Sequence, residues 1–167
     1  MSVSIRLLDK NHKREKFECG ESRIDNWFLL NSWKEQKQGR SRVYCLADNE
    51  TNFVIGFYNL TFIAWDYDNA NNVVGTKSES KGSPLPSVYL PRIGVRTECA
   101  RQGYGGDLIR DALKKSVEIS RIASIRTLSL HAINEEKAQW YTKFGFQRIP
   151  PNEDFGMALP LSVVPVS

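Results

Sequence analysis

Two stretches of this chain carry residue types at spacings that could do chemistry. The first is Ile93-Gly94-Val95, then Gln102-Gly103-Tyr104-Gly105-Gly106-Asp107-Leu108-Ile109. It reads as a short strand, a loop, and glycines opening a helix. Glycine lets backbone approach a ligand closely. A helix's first turn offers unpaired N–H groups and the positive end of its dipole, which suit a pyrophosphate. Arg101 adds a formal charge beside them. The same glycines would also serve a tight strand-to-helix turn, and the segment alone leaves both readings open. A Rossmann fingerprint is excluded because Leu108 stands where the third glycine belongs, and a Walker A loop because no Gly-Lys-Ser/Thr occurs.

The second stretch runs from Asn134 through Tyr141 to Phe144-Gly145-Phe146. Asn134 can cap a helix that carries Tyr141 and stops at Gly145. A phenol on that helix is either a proton donor or a packed core residue. Other chemistries find little. His12 and His131 are the only histidines, no H-E-x-x-H occurs, and Cys19, Cys45 and Cys99 form no C-x-x-C pair. A metal site therefore has little to build on, and none is expected. Without G-x-S-x-G there is no α/β-hydrolase nucleophile.

The elements that must hold these residues follow from periodicity. Val3, Ile5 and Leu7 alternate with polar residues and predict a strand over Ser2–Leu8. Lys10–Lys16 reads as loop or a short helix. Ser22-Arg23-Ile24-Asp25 resembles a capping box, and Ile24, Trp27 and Phe28 predict one helix over Ser22–Lys37, ended by Gly39. Arg42–Asp48 and Phe53–Trp65 are strand-like, joined through Asp48–Asn52. Asp66–Pro86 is a long polar loop. Val88–Val95 is a strand in which Pro91 demands a bulge or an unpaired side. Leu108, Ile109, Ala112, Leu113 and Val117 stripe a helix, Thr127–Ala132 is a strand, and Phe146–Ile149 with Gly156–Leu161 can pair. The order is α+β: a mixed sheet with helices against it.

Composition sets the bounds. With 167 residues, 41% hydrophobic and 25% charged, the chain fits one globular domain spanning 1–167. Lys and Arg number 23 against 19 acids, and the net charge of +4 permits an anionic partner without demanding one. No apolar run approaches the ~18 residues a membrane helix needs, and no signal peptide is visible at the start. The unpaired cysteines suit a reducing cytoplasm.

Taken together, the two stretches resemble the GNAT superfamily of N-acetyltransferases, over about Val88 to Phe146, and the element order extends the likeness to most of the chain. The resemblance implies a central, mostly antiparallel twisted sheet whose splayed middle strands hold acetyl-CoA. Ile93, Gly94 and Val95 would offer backbone groups to its pantetheine arm. Arg101, Gln102, Gly103, Tyr104, Gly105 and Gly106 would hold its pyrophosphate, Asn134 would touch it from the next helix, and Tyr141 would be the general acid for the departing thiolate. The family's loop often begins with Arg or Gln three residues before the first glycine. Here that place is Ala100, so backbone donors carry the expectation.

The N-terminal half narrows the branch. Phe17-Glu18-Cys19-Gly20 with Asp25-Asn26-Trp27-Phe28, and Leu90-Pro91-Arg92-Ile93-Gly94-Val95, resemble GNAT toxins that acetylate the α-amino group of aminoacyl-tRNA and block translation. The partners so implied are aminoacyl-tRNA, a ribbon-helix-helix antitoxin and a second copy of the chain, with no membrane. Cys19 and Gly20 by themselves suit a turn and a helix start better than chemistry. An α-amino group has a pKa of roughly 8 and needs orientation more than a strong base. Asp66 and Glu98 are possible bases for a lysine substrate and equally plain loop acids. Lys34, Lys37 and Arg40, with Lys13, Arg14, Lys16, Arg42, Arg92 and Arg96, could hold tRNA phosphates or be solvated side chains. Arg92, flanking the reaction centre, could hold the acceptor end or pair with an acid. The alternatives are a protein N-terminus, a lysine or a small amine as acceptor, or a catalytically idle acyl-CoA-binding domain.

Overall fold

The computed structural model describes residues 1–66, 84–150 and 154–163. Of the loop expected over Asp66–Pro86, residues 67–83 lie outside the described residues, and Leu85 and Pro86 open a strand. The strands are β1 (Val3–Leu7), β2 (Arg42–Asp48), β3 (Val54–Trp65), β4 (Leu85–Tyr89), β5 (Ile93–Val95), β6 (Thr127–His131), β7 (Gln147–Arg148) and β8 (Gly156–Pro160). The helices are α1 (Ser22–Leu30), α2 (Ser32–Lys37), α3 (Tyr104–Ile122) and α4 (Glu135–Thr142). The sheet is mixed and eight-stranded, in the order β1-β2-β3-β4-β6-β8-β7, with β5 also pairing β3. Two compact units divide the chain, Met1–Thr61 with Pro91–Ala112 and Phe62–Leu90 with Leu113–Ser167.

In the first unit β1, β2 and β3 form an antiparallel meander, and β5 joins β3 antiparallel. The strand expected over Val88–Val95 is thus two strands that share β3 as a neighbour, and of the two β4 also pairs β6. Pro91 is the physical reason: it has no N–H to continue a ladder. The core beside this sheet is aromatic. Phe28 of α1 stacks on Phe57 of β3 with centroids 3.9 Å apart, and Phe17 meets both edge-on. On β1 the expected inward face does not hold at its end, since Leu7 is exposed and the next residue, Leu8, is buried.

The single helix expected over Ser22–Lys37 is broken at Asn31. A guanidinium from a distant turn takes part: Arg14 donates to the Phe28 carbonyl and to the Ser32 hydroxyl, both at 2.8 Å. The capping box also fails. Ser22 is already helical, and Asp25 accepts from the backbone N–H of Cys19 at 2.9 Å. Gly39 does end α2, at φ +73°.

Arg96 corrects another expectation. It is buried and donates to the carbonyls of Val54, Lys16 and Glu15, with its guanidinium 4.2 Å from the Phe53 ring centre. Those bonds tie the segment before α1 to β3, so Arg96 is spent on the fold and cannot serve a phosphate.

In the second unit β4 and β6 run parallel, and β6, β8 and β7 are antiparallel. Leu128, Leu130, Met157 and Leu159 fill its interior. Buried hydroxyls lie among them: Ser87 Oγ is 2.8 Å from Ser129 Oγ, which accepts from Trp65 Nε1 at 2.8 Å.

Replacing the buried guanidinium by a side chain of similar length tests its structural role. Arg96→Met should cost about 3 kcal/mol of stability, because three buried carbonyls lose charged donors. Urea unfolding followed by tryptophan fluorescence measures it. A loss below about 1 kcal/mol would return Arg96 to the surface charges.

Candidate active site

The free edge of β5 is the first feature of the site. Asn59 N–H donates to the Arg92 carbonyl at 3.1 Å, and Arg96 N–H donates to the Ile55 carbonyl at 2.8 Å. In an antiparallel ladder such pairs alternate. Arg92, Gly94 and Arg96 therefore turn their main-chain groups toward β3, while Ile93 and Val95 turn theirs to the opposite edge. Among the described residues β5 pairs with β3 and with no other strand. Ile93 and Val95 can thus offer N–H and C=O groups to an extended ligand. Gly94 cannot, because its groups face β3. Its missing side chain has another use: a Cβ there would lie 3.1 Å from Cys19 Sγ and 3.2 Å from Cys19 Cβ. Cys19 is a packing residue, and burial pushes its thiol up to about 12, so it holds no thiolate nucleophile at neutral pH.

The glycine loop is the second feature. Arg101 and Gly103 both adopt left-handed backbone, at φ +62° and +85°. Alternating conformations of this kind form the N–H concavities that bind anions. The first amide of α3 with a partner inside its own turn is Asp107, which donates to the Gly103 carbonyl at 3.1 Å. Tyr104, Gly105 and Gly106 precede it and lie in the helix's donor-rich first turn. Arg101, Gln102 and Gly103 are exposed, and among the described residues nothing beyond the loop's own neighbouring residues lies within 4 Å of where a Gly103 Cβ would stand. The loop is therefore open to a pyrophosphate.

Asn134 and Tyr141 sit on one helix. Asn134 caps α4, its Oδ1 accepting from Lys137 N–H at 2.9 Å, and Gly145 follows the helix at φ +102°. Tyr141 is buried, edge-on to Trp140 and Phe146 at 5.0 and 5.7 Å. Burial pushes its phenol well above the usual tyrosine range, so it keeps its proton at every physiological pH.

The expected phosphate-binding cations divide. Lys34, Lys37 and Arg40 are exposed on and just after α2, and Lys37 Nζ lies 5.5 Å from the Trp33 ring centre. Arg92 instead lies over Trp27, 4.2 Å from its centre. Arg14, like Arg96, is engaged by the fold. Of the two possible bases, Asp66 is exposed and Glu98 is exposed with an ion pair to Arg96 at 3.8 Å. In the sequence His131 stands out only as one of two histidines, too few for a zinc site. Its ring nitrogens meet Tyr89 Oη at 2.6 Å and Asp154 Oδ2 at 3.2 Å. Nothing in the sequence joins these three residues, because the sheet brings them together. Among the described residues no cluster of His, Cys, Asp and Glu could hold a metal ion, and no helix is long and apolar enough to cross a membrane.

Residues 8–146 match the model of the Acetyltransferase (GNAT) family. The chain belongs to this family. Among its GNAT relatives is a probable toxin, TacT, of Sinorhizobium fredii, 30% identical over 96% of this chain and 92% of that one. A tRNA-acetylating toxin of Mycobacterium tuberculosis is 27% identical over 80% of this chain and 78% of its own. The fold is that of AtaT complexed with acetyl-methionyl-tRNAfMet, with a TM-score of 0.88, 21% identity and 96% of each chain covered. A mutant AtaT toxin bound to acetyl-CoA and to the C-terminus of the antitoxin AtaR superposes with a TM-score of 0.81 at 21% identity, covering 96% of this chain and 94% of that one.

For this GNAT chain, the β5 edge and the glycine loop fit acetyl-CoA. The loop makes a clean test because Gly103 supports nothing behind it. Gly103→Val forces a β-branched residue into left-handed backbone and crowds the loop's mouth. Calorimetry should show acetyl-CoA affinity at least tenfold lower while the fold persists by circular dichroism. Unchanged affinity would move the pyrophosphate site elsewhere.

Proposed function

We propose that this GNAT chain moves the acetyl group of acetyl-CoA onto the α-amino group of an aminoacyl-tRNA and so acts as a translation-blocking toxin. The observation that supports the reading is the likeness to toxins over most of the chain, one of them named for acetylating tRNA. AtaT with acetyl-methionyl-tRNAfMet supports the acceptor end of the argument. AtaT with the C-terminus of its antitoxin supports a protein partner, which we take to be of the ribbon-helix-helix class. The toxin would act in the cytoplasm, where charged tRNA is found, and as a homodimer.

The chain's own residues divide the work. Ile93 and Val95 hold the pantetheine arm along the β5 edge, the loop 101–106 holds the pyrophosphate, and Asn134 reaches the same ligand through its amide. Acetyl-CoA, when bound, supplies the activated acyl group. Tyr141 holds a proton on its hydroxyl and gives it to the sulfur as the thioester breaks. A buried phenol cannot remain as phenolate, which suits a donor that must be recharged at once. Lys34, Lys37 and Arg40 draw in the phosphate backbone, and Arg92 on Trp27 orients the acceptor end.

Incubating the protein with acetyl-CoA and total charged tRNA, then identifying acetylated aminoacyl ends by mass spectrometry, tests the acceptor. Acetyl groups found on protein N-termini, lysines or small amines, and none on tRNA, would overturn it. Tyr141→Phe keeps the ring and removes the proton. It should lower kcat by about 10²-fold or more with melting temperature and acetyl-CoA affinity nearly unchanged. A stable variant with wild-type kcat would remove Tyr141 from the chemistry.

The exposed cations give a separate expectation. Neutralising Lys34, Lys37 and Arg40 together should raise the KM for tRNA and reduce the salt slope of binding by about two to three units in log–log form. Acetyl-CoA affinity should not change. Filter binding between low and moderate salt reads the slope, and an unaltered slope would leave these residues as solvated charge.

A further inference from the structure

We propose that Tyr89, His131 and Asp154 form a proton relay that takes the proton from the acceptor's ammonium group. The inference rests on the acceptor being a primary amine, as in the function proposed above. Its ground is the juxtaposition of three side chains, Tyr89 and His131 by the parallel pair β4 and β6, and Asp154 by the pairing of β8 with β6.

Tyr89 is the last residue of β4 and His131 the last of β6, and these strands are parallel, with Val88 opposite Leu128 and Tyr89 opposite Ser129. Both side chains therefore stand at the carboxyl ends of the pair, the end at which open parallel sheets bind ligands. Just beyond His131 comes Asn134, the cap of the helix that carries Tyr141. Just beyond Tyr89, Leu90 makes a last bond to the Ser129 carbonyl at 2.9 Å, and Pro91 ends the ladder.

The chain of contacts has a direction. Asp154 is exposed, and its Oδ1 accepts from Gly156 N–H at 3.1 Å, which fixes the carboxylate. Its Oδ2 lies 3.2 Å from His131 Nε2. A carboxylate only accepts, so Nε2 carries the imidazole proton and Nδ1 is the acceptor. Tyr89 Oη, 2.6 Å from Nδ1, is then the donor. This tautomer follows from the network. The Trp65 ring, with its centre 5.1 Å from that of His131, closes one side of the imidazole. Among the described residues, Tyr89 from β4 and Asp154 from the turn before β8 are the titratable groups in contact with His131.

The step balances. An ammonium hydrogen-bonded to Tyr89 Oη passes one proton to that oxygen while Tyr89 passes its own proton to His131 Nδ1. The products are a neutral amine with a free electron pair, a neutral phenol, and an imidazolium held by the Asp154 carboxylate. The amine then attacks the thioester carbonyl. An exposed carboxylate such as Asp66 or Glu98 is not needed.

A structural clip between β4, β6 and the β8 turn would make the same contacts, so the test must read pH. Single-turnover acetylation of total charged tRNA at saturating acetyl-CoA is followed from about pH 6 to about pH 8.5 for wild type, Tyr89→Phe, His131→Gln and Asp154→Asn. An α-amine with a pKa of roughly 8 is almost wholly charged at the acid end and largely neutral at the alkaline end. The variants should be slower than wild type by on the order of tenfold or more near pH 6.5, and the gap should close toward pH 8.5. A deficit equal at every pH would mean a clip, and wild-type rates near pH 6.5 would mean no relay; either overturns the proposal. Asp154 is on the surface, so Asp154→Asn decides the matter if the other two do not fold. If wild type acetylates no charged tRNA, the acceptor reading fails on its own. The same pH series on a peptide with a free N-terminus then judges the relay.

Discussion

A backbone nitrogen without a hydrogen fixes the centre of this protein. Pro91 interrupts the strand, and past it the chain keeps β3 as a neighbour and loses β6: β4 lies between β3 and β6, whereas β5 pairs β3. Two consequences meet the chemistry. Among the described residues β5 keeps one edge without a strand, where Ile93 and Val95 show their polar backbone groups. β4 stops at Tyr89, which brings a phenol to the end of the parallel pair. A continuous strand over the same residues would have satisfied those groups internally and left no edge for a ligand.

The elements that local signals govern were legible in the sequence. Asn134 as a cap, Gly145 and Gly39 as terminators, Gly103 just before α3 and the Asp48–Asn52 turn all follow from short-range backbone chemistry, and each stands where its residue type requires. What the sequence hid depends on partners far along the chain. The break at Asn31 involves a guanidinium from position 14. The burial of Arg96 depends on carbonyls at positions 15, 16 and 54. Whether Gly94 faces a ligand or β3 is a matter of ladder parity, which composition cannot reveal.

The same distinction sorts the positive charge. A net charge of +4 invites an anionic partner, yet three arginines expected to meet phosphate are engaged by the fold or by a ring: Arg14 by Phe28 and Ser32, Arg92 by Trp27, Arg96 by main-chain carbonyls, while Arg101 stays exposed in the glycine loop. The guanidinium's planar fork suits such fixed roles. The exposed charge on α2 itself is lysine, Lys34 and Lys37, whose hydrated ammonium on a flexible stem tolerates variable phosphate positions.

The cap on α4 has a consequence for what Asn134 can recognise. Its Oδ1 accepts from Lys137 N–H, which fixes the amide and spends one of the oxygen's two lone pairs inside the helix. The side chain is thereby biased toward donation, and its Nδ2 hydrogens favour electron-rich atoms such as carbonyl or phosphoryl oxygens. Aspartate, nearly the same shape and an equally good cap, would present a lone pair and a negative charge in the same place. At this position the two isosteres would keep the same helix and reverse the polarity of whatever it greets.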